Sequence, residues 1–316
     1  DGPVPTNNQF LSTIYPVTRQ HLPAEVPDMP PEKLPGFLER HPELIDSAPY
    51  LADLARIEYA AHLLHINPPP IPEVVTRRTL NPSLKLLSVQ WSGLPDMLTG
   101  TGLQPHLQET FVAVFQQPGR ETITVEPLPP SALLALKVFS EDIDSSVAAE
   151  EGGVSRGAID DVIYSAINRG LLLEPGSKLV REPGFPRGII TDPAPFMATT
   201  FTLQWHITQR CDLHCRHCYD RSDRRTLPLD EAITILDDLY EFCRQNHVFG
   251  QVTFTGGNPL LHPDFMGLYG AAVERGFVTA ILGNPTSRKK LEALLAIRKP
   301  AYHGHQDNLF NLIQLQ

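Results

Sequence analysis

Apolar runs of strand length alternate with segments of helical periodicity in the last third of the chain. The runs at residues 200–207, 250–255 and 277–282 are each followed by a polar or glycine-containing turn. The helices predicted between and after these runs cover residues 230–245 and begin at Pro263 and at Ser287. Strands that alternate with helices in this way are typical of a parallel sheet covered by helices.

The helix predicted over 230–245 takes Asp230 as its N-cap and has one apolar face. The residues of that face are Ala232, Ile235, Leu236, Leu239, Phe242 and Cys243. Their spacing forms a single stripe, which in an amphipathic helix packs against the core. Cys243 is therefore predicted to be a small buried hydrophobe and not a metal ligand.

Short elements separated by prolines fill the first half of the chain. A helix is predicted over 49–66, where apolar residues recur at helical spacing and Pro68–Pro70 end the pattern. His62 and His65 lie in this helix and His41 precedes it. Histidine is a metal-binding residue type, but this spacing favours packed or surface histidines.

Residues 84–173 have the order of elements of a winged-helix module. Strands are predicted over 84–89, 111–117 and 122–127, helices over 131–144 and 155–170, and a leucine run at 171–173 follows. Pro118-Gly119-Arg120 is the turn of a hairpin, and Ser155 is a good N-cap for the last helix.

The last helix of this module carries no basic face. Arg156 and Arg169 are balanced by Asp160 and Asp161, whereas a helix that binds DNA needs a positive surface. Peptide-modifying enzymes often carry small winged-helix-like domains that bind a leader peptide by strand addition. The module is therefore expected to recognise a peptide, and a purely structural role is the alternative.

Composition excludes several classes of protein. The 316 residues are 41% hydrophobic, which is ample for packed cores, and their formal net charge is −10 without a block of Lys or Arg. No nucleic-acid partner is expected from this charge. No run approaches the ~20 apolar residues of a membrane helix, and no signal peptide opens the sequence. No membrane partner and a cytoplasmic location are therefore expected.

The predicted fold class is α/β. The segments are a helical N-terminal domain (1–82), a winged-helix-like α+β module (83–182), a linker (183–199) and a partial (β/α) barrel of about three βα units (200–316). Ligands bind at the carboxyl ends of the strands in parallel α/β folds. The three turns that follow the strands of the barrel are therefore expected to meet on one face.

Three cysteines occupy the first of these turns. Cys211, Cys215 and Cys218 are spaced as C-x3-C-x2-C. Thiolates hold iron–sulfur clusters, and a cubane normally takes four of them. Three thiolates leave one iron open to the N and O atoms of a substrate or cofactor. The alternatives are a disulfide or a zinc site completed by a residue such as His214 or His217.

This cysteine motif, followed by the aromatic Tyr219, resembles the cluster loop of radical S-adenosylmethionine (radical SAM) enzymes. The resemblance implies a [4Fe–4S] cluster held by Cys211, Cys215 and Cys218, with SAM bound to the open iron. It implies that an electron, from a donor such as flavodoxin or ferredoxin, splits SAM into methionine and a 5'-deoxyadenosyl radical. That radical abstracts a hydrogen atom from the substrate.

The other two turns carry further parts of the resemblance. The second-strand motif of the family is typically Gly-Gly-Glu-Pro, whose acid contacts the amino group of SAM, and this chain has Gly256, Gly257, Asn258 and Pro259. An amide oxygen accepts a hydrogen bond but lacks the charge that strengthens one. The family further implies that Tyr219 lies by the adenine and that Asn284 lines the pocket.

Two narrower resemblances suggest a substrate. Residues 256–259 and 282–286 resemble those of selenobiotic-type, or thio(seleno)oxazole-type, radical SAM peptide maturases. That resemblance implies a ribosomally made precursor peptide rich in Cys or selenocysteine. Residues 49–62 resemble the domain labelled DNA-binding in accessory proteins of bufferin-type cassettes, but this region has no basic face.

The family barrel has six strands, and the sequence pattern provides three. Residues 301–308 are not predicted to form a fourth strand, the chain starts at Asp1 without Met, and it stops at Gln316. A truncated barrel is therefore expected. The alternatives to a peptide-modifying enzyme are an inactive radical SAM fragment and a zinc-stabilised binding or regulatory protein.

Overall fold

The structure is a computed structural model that describes residues 13–100, 104–216, 218, 226–284, 286–300 and 302–303. Its contacts divide the chain into two units. The first comprises Asp1–Asp142 and Val162–Glu174, and the second comprises Ile143–Asp161 and Pro175–Gln316. The domain boundaries proposed at 82, 182 and 199 come from the sequence pattern and not from contacts, so they stay predictions.

The elements up to residue 173 are mostly short. In chain order they are α1 (Thr18–His21), α2 (Leu34–Arg40), α3 (Leu51–Ile66), β1 (Thr79–Leu80), β2 (Lys85–Ser92), α4 (Leu94–Thr99), β3 (His106–Gln116), β4 (Ile123–Leu128), α5 (Pro130–Ser140), α6 (Ser145–Gly152), α7 (Arg156–Asn168) and β5 (Leu172–Leu173). Single 3-10 turns lie at Pro31–Lys33 and Pro42–Ile45. The predicted helix over 49–66 and the three predicted strands are confirmed.

The core of the first unit lies between α3 and the antiparallel sheet β2-β3-β4. Leu51, Leu54 and Ile57 are fully buried on one side of α3, where they pack with Val112 and Val114 of β3. The three apolar positions of the helix follow the helical period, so the sequence pattern alone indicates this packing.

Two polar side chains of α3 also bind the outer edge of β2. The Asp53 carboxylate accepts a hydrogen bond from the backbone N–H of Gln90 at 2.7 Å. The Arg56 guanidinium donates to the backbone carbonyl of Ser88 at 3.0 Å. These bonds satisfy backbone groups that an edge strand otherwise leaves unpaired.

The helix predicted over 131–144 is wrong in its extent, because the helix there ends at Ser140 and a second one begins only at Ser145. Asp142 takes a left-handed conformation with φ of 52°, which interrupts a right-handed helix. Asp144 then caps α6, where its carboxylate accepts from the N–H of Ser146 at 2.8 Å. The N-cap predicted at Ser155 is confirmed, since its hydroxyl oxygen accepts from the N–H of Ala158 at 3.2 Å.

The elements after residue 174 are three βα units and one further strand. They are β6 (Thr200–Thr208), α8 (Leu229–Asn246), β7 (Phe249–Gly256), α9 (Phe265–Glu274), β8 (Val278–Ile281), α10 (Arg288–Ile297) and β9 (Tyr302–His303), with 3-10 turns at Ala194–Phe196 and Pro259–Leu261. The sheet has the order β6-β7-β8-β9, and all neighbours are parallel. Its register pairs Thr208 with Gly256, Phe254 with Ile281, and Ile281 with His303.

Two expectations for this sheet and its helices are corrected. The sequence predicted no fourth strand after residue 300, yet the backbone of Tyr302–His303 pairs in parallel with β8. Two residues are too few to show the alternation that marks a strand. Asp230 is not the N-cap of α8, because the helix begins at Leu229 after Pro228. The Asp230 carboxylate lies in the first turn of α8, where a negative charge interacts favourably with the helix dipole.

The core of the second unit is built from the apolar faces of α8 and α9 against β7 and β8. The predicted stripe of α8 is buried at Ala232, Leu236, Leu239 and Cys243, whereas Phe242 is 37% exposed. Among the described residues, no helix is both long and apolar enough to cross a membrane.

Candidate active site

The carboxyl ends of β6, β7 and β8 lie side by side, because the three strands are parallel neighbours. The segment after β6 contains the cysteines, the segment after β7 contains Gly257, Asn258 and Pro259, and the segment after β8 contains Asn284. This edge of a parallel sheet is where ligands usually bind. The convergence expected from the sequence is thus present in the structure.

Two glycines allow the turn after β7 to lie directly against the end of β6. A Cβ atom added to Gly256 would lie 2.2 Å from the Thr208 carbonyl oxygen, and one added to Gly257 would lie 2.3 Å from that of Arg210. Gly256 has φ of +121°, a conformation that other residues rarely adopt. The backbones are joined by hydrogen bonds from Gly257 N to Thr208 O at 2.8 Å and from Asn258 N to Arg210 O at 2.7 Å.

A third glycine brings the segment after β8 against the same turn. A Cβ atom at Gly283 would lie 2.8 Å from Cδ of Pro259 and 2.9 Å from Oδ1 of Asn258. Pro259 is buried, and Asn258 is completely buried. The close approach at Gly283 therefore fixes the position of Asn284, the next residue, relative to Asn258.

Asn258 and Asn284 converge on one carboxylate. Asn258 donates from Nδ2 to Oδ1 of Asp212 at 3.1 Å, and Asn284 donates from Nδ2 to the same oxygen at 3.2 Å. Both amides are buried, with exposed fractions of 0% and 5%. The Asn258 Oδ1 atom accepts from the N–H of Leu260 at 3.2 Å, so its amide oxygen also caps its own turn.

Asp212 was not among the residues singled out from the sequence. Desolvation raises the pKa of its carboxyl, but the hydrogen bonds from Asn258, Asn284 and its own backbone N–H together hold the pKa below its usual value. The only local signal is its position between Cys211 and Cys215. Its partners lie far away in sequence, so local pattern analysis does not find them.

The three cysteines of the motif, all among the described residues, form no disulfide. Cys211 and Cys218 are exposed and Cys215 is half-buried. The Cys211 Sγ atom accepts hydrogen bonds from the N–H of Leu213 at 3.4 Å and from Nδ2 of Asn284 at 3.6 Å. The N–H of Cys218 donates to the carbonyl of Cys215 at 3.2 Å.

The donor set fits an iron–sulfur cluster in its chemistry. Three thiols lie on one loop, and that of Cys211 accepts N–H hydrogen bonds; thiolates with such bonds hold iron–sulfur clusters. Across the described ranges, no three Cys, His, Asp or Glu side chains are already arranged around a metal position. Ligand identity is therefore supported here by residue type and accessibility, and not by a preformed geometry. His217 and Tyr219 lie outside the described residues, as do Arg221, Arg224 and Arg225.

Cys243 is a buried side chain, as its position on the apolar face of α8 predicted. Its side chain is 5% exposed in the core of the second unit, and burial raises the pKa of the thiol to about 11. A thiol of that pKa stays protonated at neutral pH, whereas metal ligands are thiolates. The sulfur lies 3.3 Å from where a Cβ at Gly250 would be, so it fills space against β7.

Comparison with known proteins finds similarities to the part of the chain that contains this site. Residues 205–311 match the family model described as the radical SAM superfamily. An S-adenosylmethionine-dependent nucleotide dehydratase from Selenomonas ruminantium is 31% identical over 85 residues, which are 27% of this chain and 30% of the relative. An Fe-coproporphyrin III synthase from Methanosarcina barkeri (strain Fusaro / DSM 804) is 33% identical over 86 residues, which are 26% of this chain and 20% of the relative.

The chain therefore spans less than a third of the length of these two curated relatives. Among solved structures, Streptococcus suis SuiB bound to precursor peptide SuiA matches 61% of this chain and 43% of its own chain. That match has 17% sequence identity and a TM-score of 0.29. A match this weak says nothing of what the present chain does.

Proposed function

We propose that this radical SAM domain holds a [4Fe–4S] cluster through Cys211, Cys215 and Cys218 and uses S-adenosylmethionine to modify a ribosomally made precursor peptide. The observation that carries the proposal is the convergence of three segments at one sheet edge. They are the cysteine loop, the Gly-Gly-Asn-Pro turn and the segment with Asn284. Residues 205–311, which contain all three, match the radical SAM superfamily model.

When bound, the cluster and SAM supply a carbon-centred radical that removes a hydrogen atom from the substrate. The chain positions these groups. Gly256 and Gly257 keep the second turn close to β6, so backbone groups rather than side chains face the cofactor there. Asn258, Pro259 and Asn284 line the adjoining wall, and Tyr219 is the aromatic residue assigned to the adenine.

The peptide part of the proposal rests on the first unit. The outer edge of β2 bonds with Asp53 and Arg56. The strand β4 forms the other edge of the sheet β2-β3-β4, where Arg169 donates to the carbonyl of Pro127 at 3.2 Å. An extended leader peptide adds to such an edge through main-chain hydrogen bonds. We assign peptide recognition to β4 and the helices that follow it, and no nucleic-acid or membrane partner is proposed.

The finer assignment follows the motifs of the second and third turns. We propose a selenobiotic-type maturase that acts on a Cys- or selenocysteine-rich peptide in the cytoplasm. A flavodoxin or ferredoxin would donate the electron. The resemblance of residues 49–62 to a domain labelled DNA-binding contributes no function to this proposal, because α3 carries only one Arg and no Lys.

Anaerobic reconstitution with iron and sulfide tests the proposal. We expect about four irons per chain, as a cubane requires, and 5'-deoxyadenosine when SAM and dithionite are added. Cys215→Ala should abolish both. Cys243→Ala is the matched control, because it removes a cysteine that the structure buries away from the sheet edge, and it should retain both.

Each alternative predicts a different result in the same assay. Bound zinc without iron would replace the proposal with a zinc-stabilised binding protein. A complete cluster that never yields deoxyadenosine would make this chain an inactive radical SAM fragment. If deoxyadenosine forms, its rate should rise when a Cys-rich precursor peptide is added.

A further inference from the structure

The Asn284 amide has two N–H hydrogens, and the structure gives each a negatively charged or polarisable acceptor. One acceptor is Oδ1 of Asp212 at 3.2 Å, and the other is Sγ of Cys211 at 3.6 Å. The carboxylate can only accept, so it requires the nitrogen and not the oxygen of the amide to face it. The Asn284 side chain is 5% exposed, whereas Cys211 and Asp212, which accept its bonds, are exposed.

Asp212 brings a negative charge next to the same cysteine. Its carboxylate is held by Asn258 as well as by Asn284, and it follows Cys211 directly in the chain. A carboxyl group is ionised at neutral pH. Cys211 therefore accepts a bond from Asn284 and is followed in the chain by a carboxylate that the buried amides of Asn258 and Asn284 both contact.

We propose that Asn284 and Asp212 are positioning residues that set the reduction potential of a cluster bound at Cys211, and that they act in opposite directions. This inference rests on the proposed function, because it requires a cluster on that sulfur. Hydrogen bonds to the sulfurs and net charge nearby are among the factors that fix iron–sulfur potentials. Reduction adds one electron, and therefore one negative charge, next to Cys211.

The Asn284 N–H stabilises that added charge, so it makes reduction easier and raises the potential. The Asp212 carboxylate repels the charge and lowers the potential. The two residues are also linked, because Asn284 shares its nitrogen between the sulfur and the carboxylate.

Potentiometric titration of the reconstituted full chain, followed by EPR of the reduced cluster without SAM, tests this inference. Asn284→Leu removes the donor at similar volume and should shift the potential to a more negative value. Asp212→Asn removes the charge but keeps the shape and should shift it to a more positive value. Thr286→Val is the control, because the Thr286 hydroxyl is buried without a hydrogen-bond partner among the described residues, and its potential should equal that of the wild type.

The outcomes separate this inference from the proposed function. A wild-type chain without a reducible cluster would contradict both the proposed function and this inference. A wild-type cluster whose potential is the same in Asn284→Leu and Asp212→Asn, or shifts in the same direction in both, would overturn only the inference. If Asn284→Leu fails to bind iron, Asn284→Ser is measured instead. If that variant also lacks iron, Asn284 has a structural role alone and the inference is wrong.

Discussion

Gly257→Ala tests the close approach on which the proposed site depends. The added methyl group would lie 2.3 Å from the carbonyl oxygen of Arg210, 2.7 Å from its carbon and 2.8 Å from the carbonyl oxygen of Gln209. All three are backbone atoms, so no side-chain rotation relieves the overlap. The turn after β7 must therefore move away from the end of β6.

That movement acts on two hydrogen bonds, from Gly257 N to Thr208 O at 2.8 Å and from Asn258 N to Arg210 O at 2.7 Å. Each such bond contributes about 1 kcal/mol to stability, and overpacking of a tight site costs ~1–3 kcal/mol. We expect the free energy of unfolding of the second unit to fall by about 2–3 kcal/mol on these grounds. The variant should also bind less iron on reconstitution.

The chain offers a direct assay, because its two tryptophans lie in different units. Trp91 is in β2 and Trp205 is in β6, so Trp205 fluorescence in a Trp91→Phe background reports denaturant unfolding of the second unit. Gly270→Ala is the matched control, since nothing lies within 4 Å of its added Cβ. Alanine inside α9 should stabilise by about 0.5–1 kcal/mol. Equal unfolding midpoints for Gly257→Ala and the wild type would refute the close-approach argument.

Two further predictions concern the second unit. Gly157→Ala places a Cβ 2.3 Å from the backbone nitrogen of Gly276, so it should destabilise the unit by ~1–3 kcal/mol, and an unchanged Trp205 transition would contradict this. Burial lowers the pKa of His262 below 6.5, an effect that Asp264 opposes and Arg210 reinforces. The unfolded chain therefore binds a proton at this histidine more tightly than the folded chain does. The stability that neutral His262 contributes is fully present above pH 6.5 and is lost as the pH falls below 6.5. Denaturant midpoints at pH 8 and pH 5.5 should differ less in His262→Gln than in the wild type.

The elements of the parallel sheet were predictable because their signals are local. The apolar runs that became β6, β7 and β8 are bounded by turns, and the buried positions of α8 follow the helical period. The burial of Cys243 was predictable because the residue lies on the apolar face that this period defines. The failures have local causes too. Asp142 interrupts a predicted helix through its left-handed conformation, and β9 is too short to show a period.

The candidate site was only partly predictable, because its decisive contacts join residues far apart in the chain. The bonds from Asn258 and Asn284 to Asp212 span 46 and 72 residues. The motifs indicated which turns would meet, since parallel strands place their carboxyl ends together. They did not indicate that two neutral amides would converge on the carboxylate that follows the first cysteine.

This convergence changes the interpretation of the Asn258 position. Judged from the sequence, an amide where the family typically has an acid removes a negative charge from the turn. In the structure, the amide instead donates to a carboxylate in the cysteine loop, so a negative charge is still present at the sheet edge. An acid at position 258 would face Asp212 at hydrogen-bond distance, and two such carboxylates repel. Asn258→Glu alone should therefore bind iron less well than the wild type, whereas Asn258→Glu combined with Asp212→Asn should recover. Iron content after reconstitution measures cluster binding in both variants. An equal loss of iron in the single and double variants would show that repulsion between carboxylates at this edge does not control iron binding.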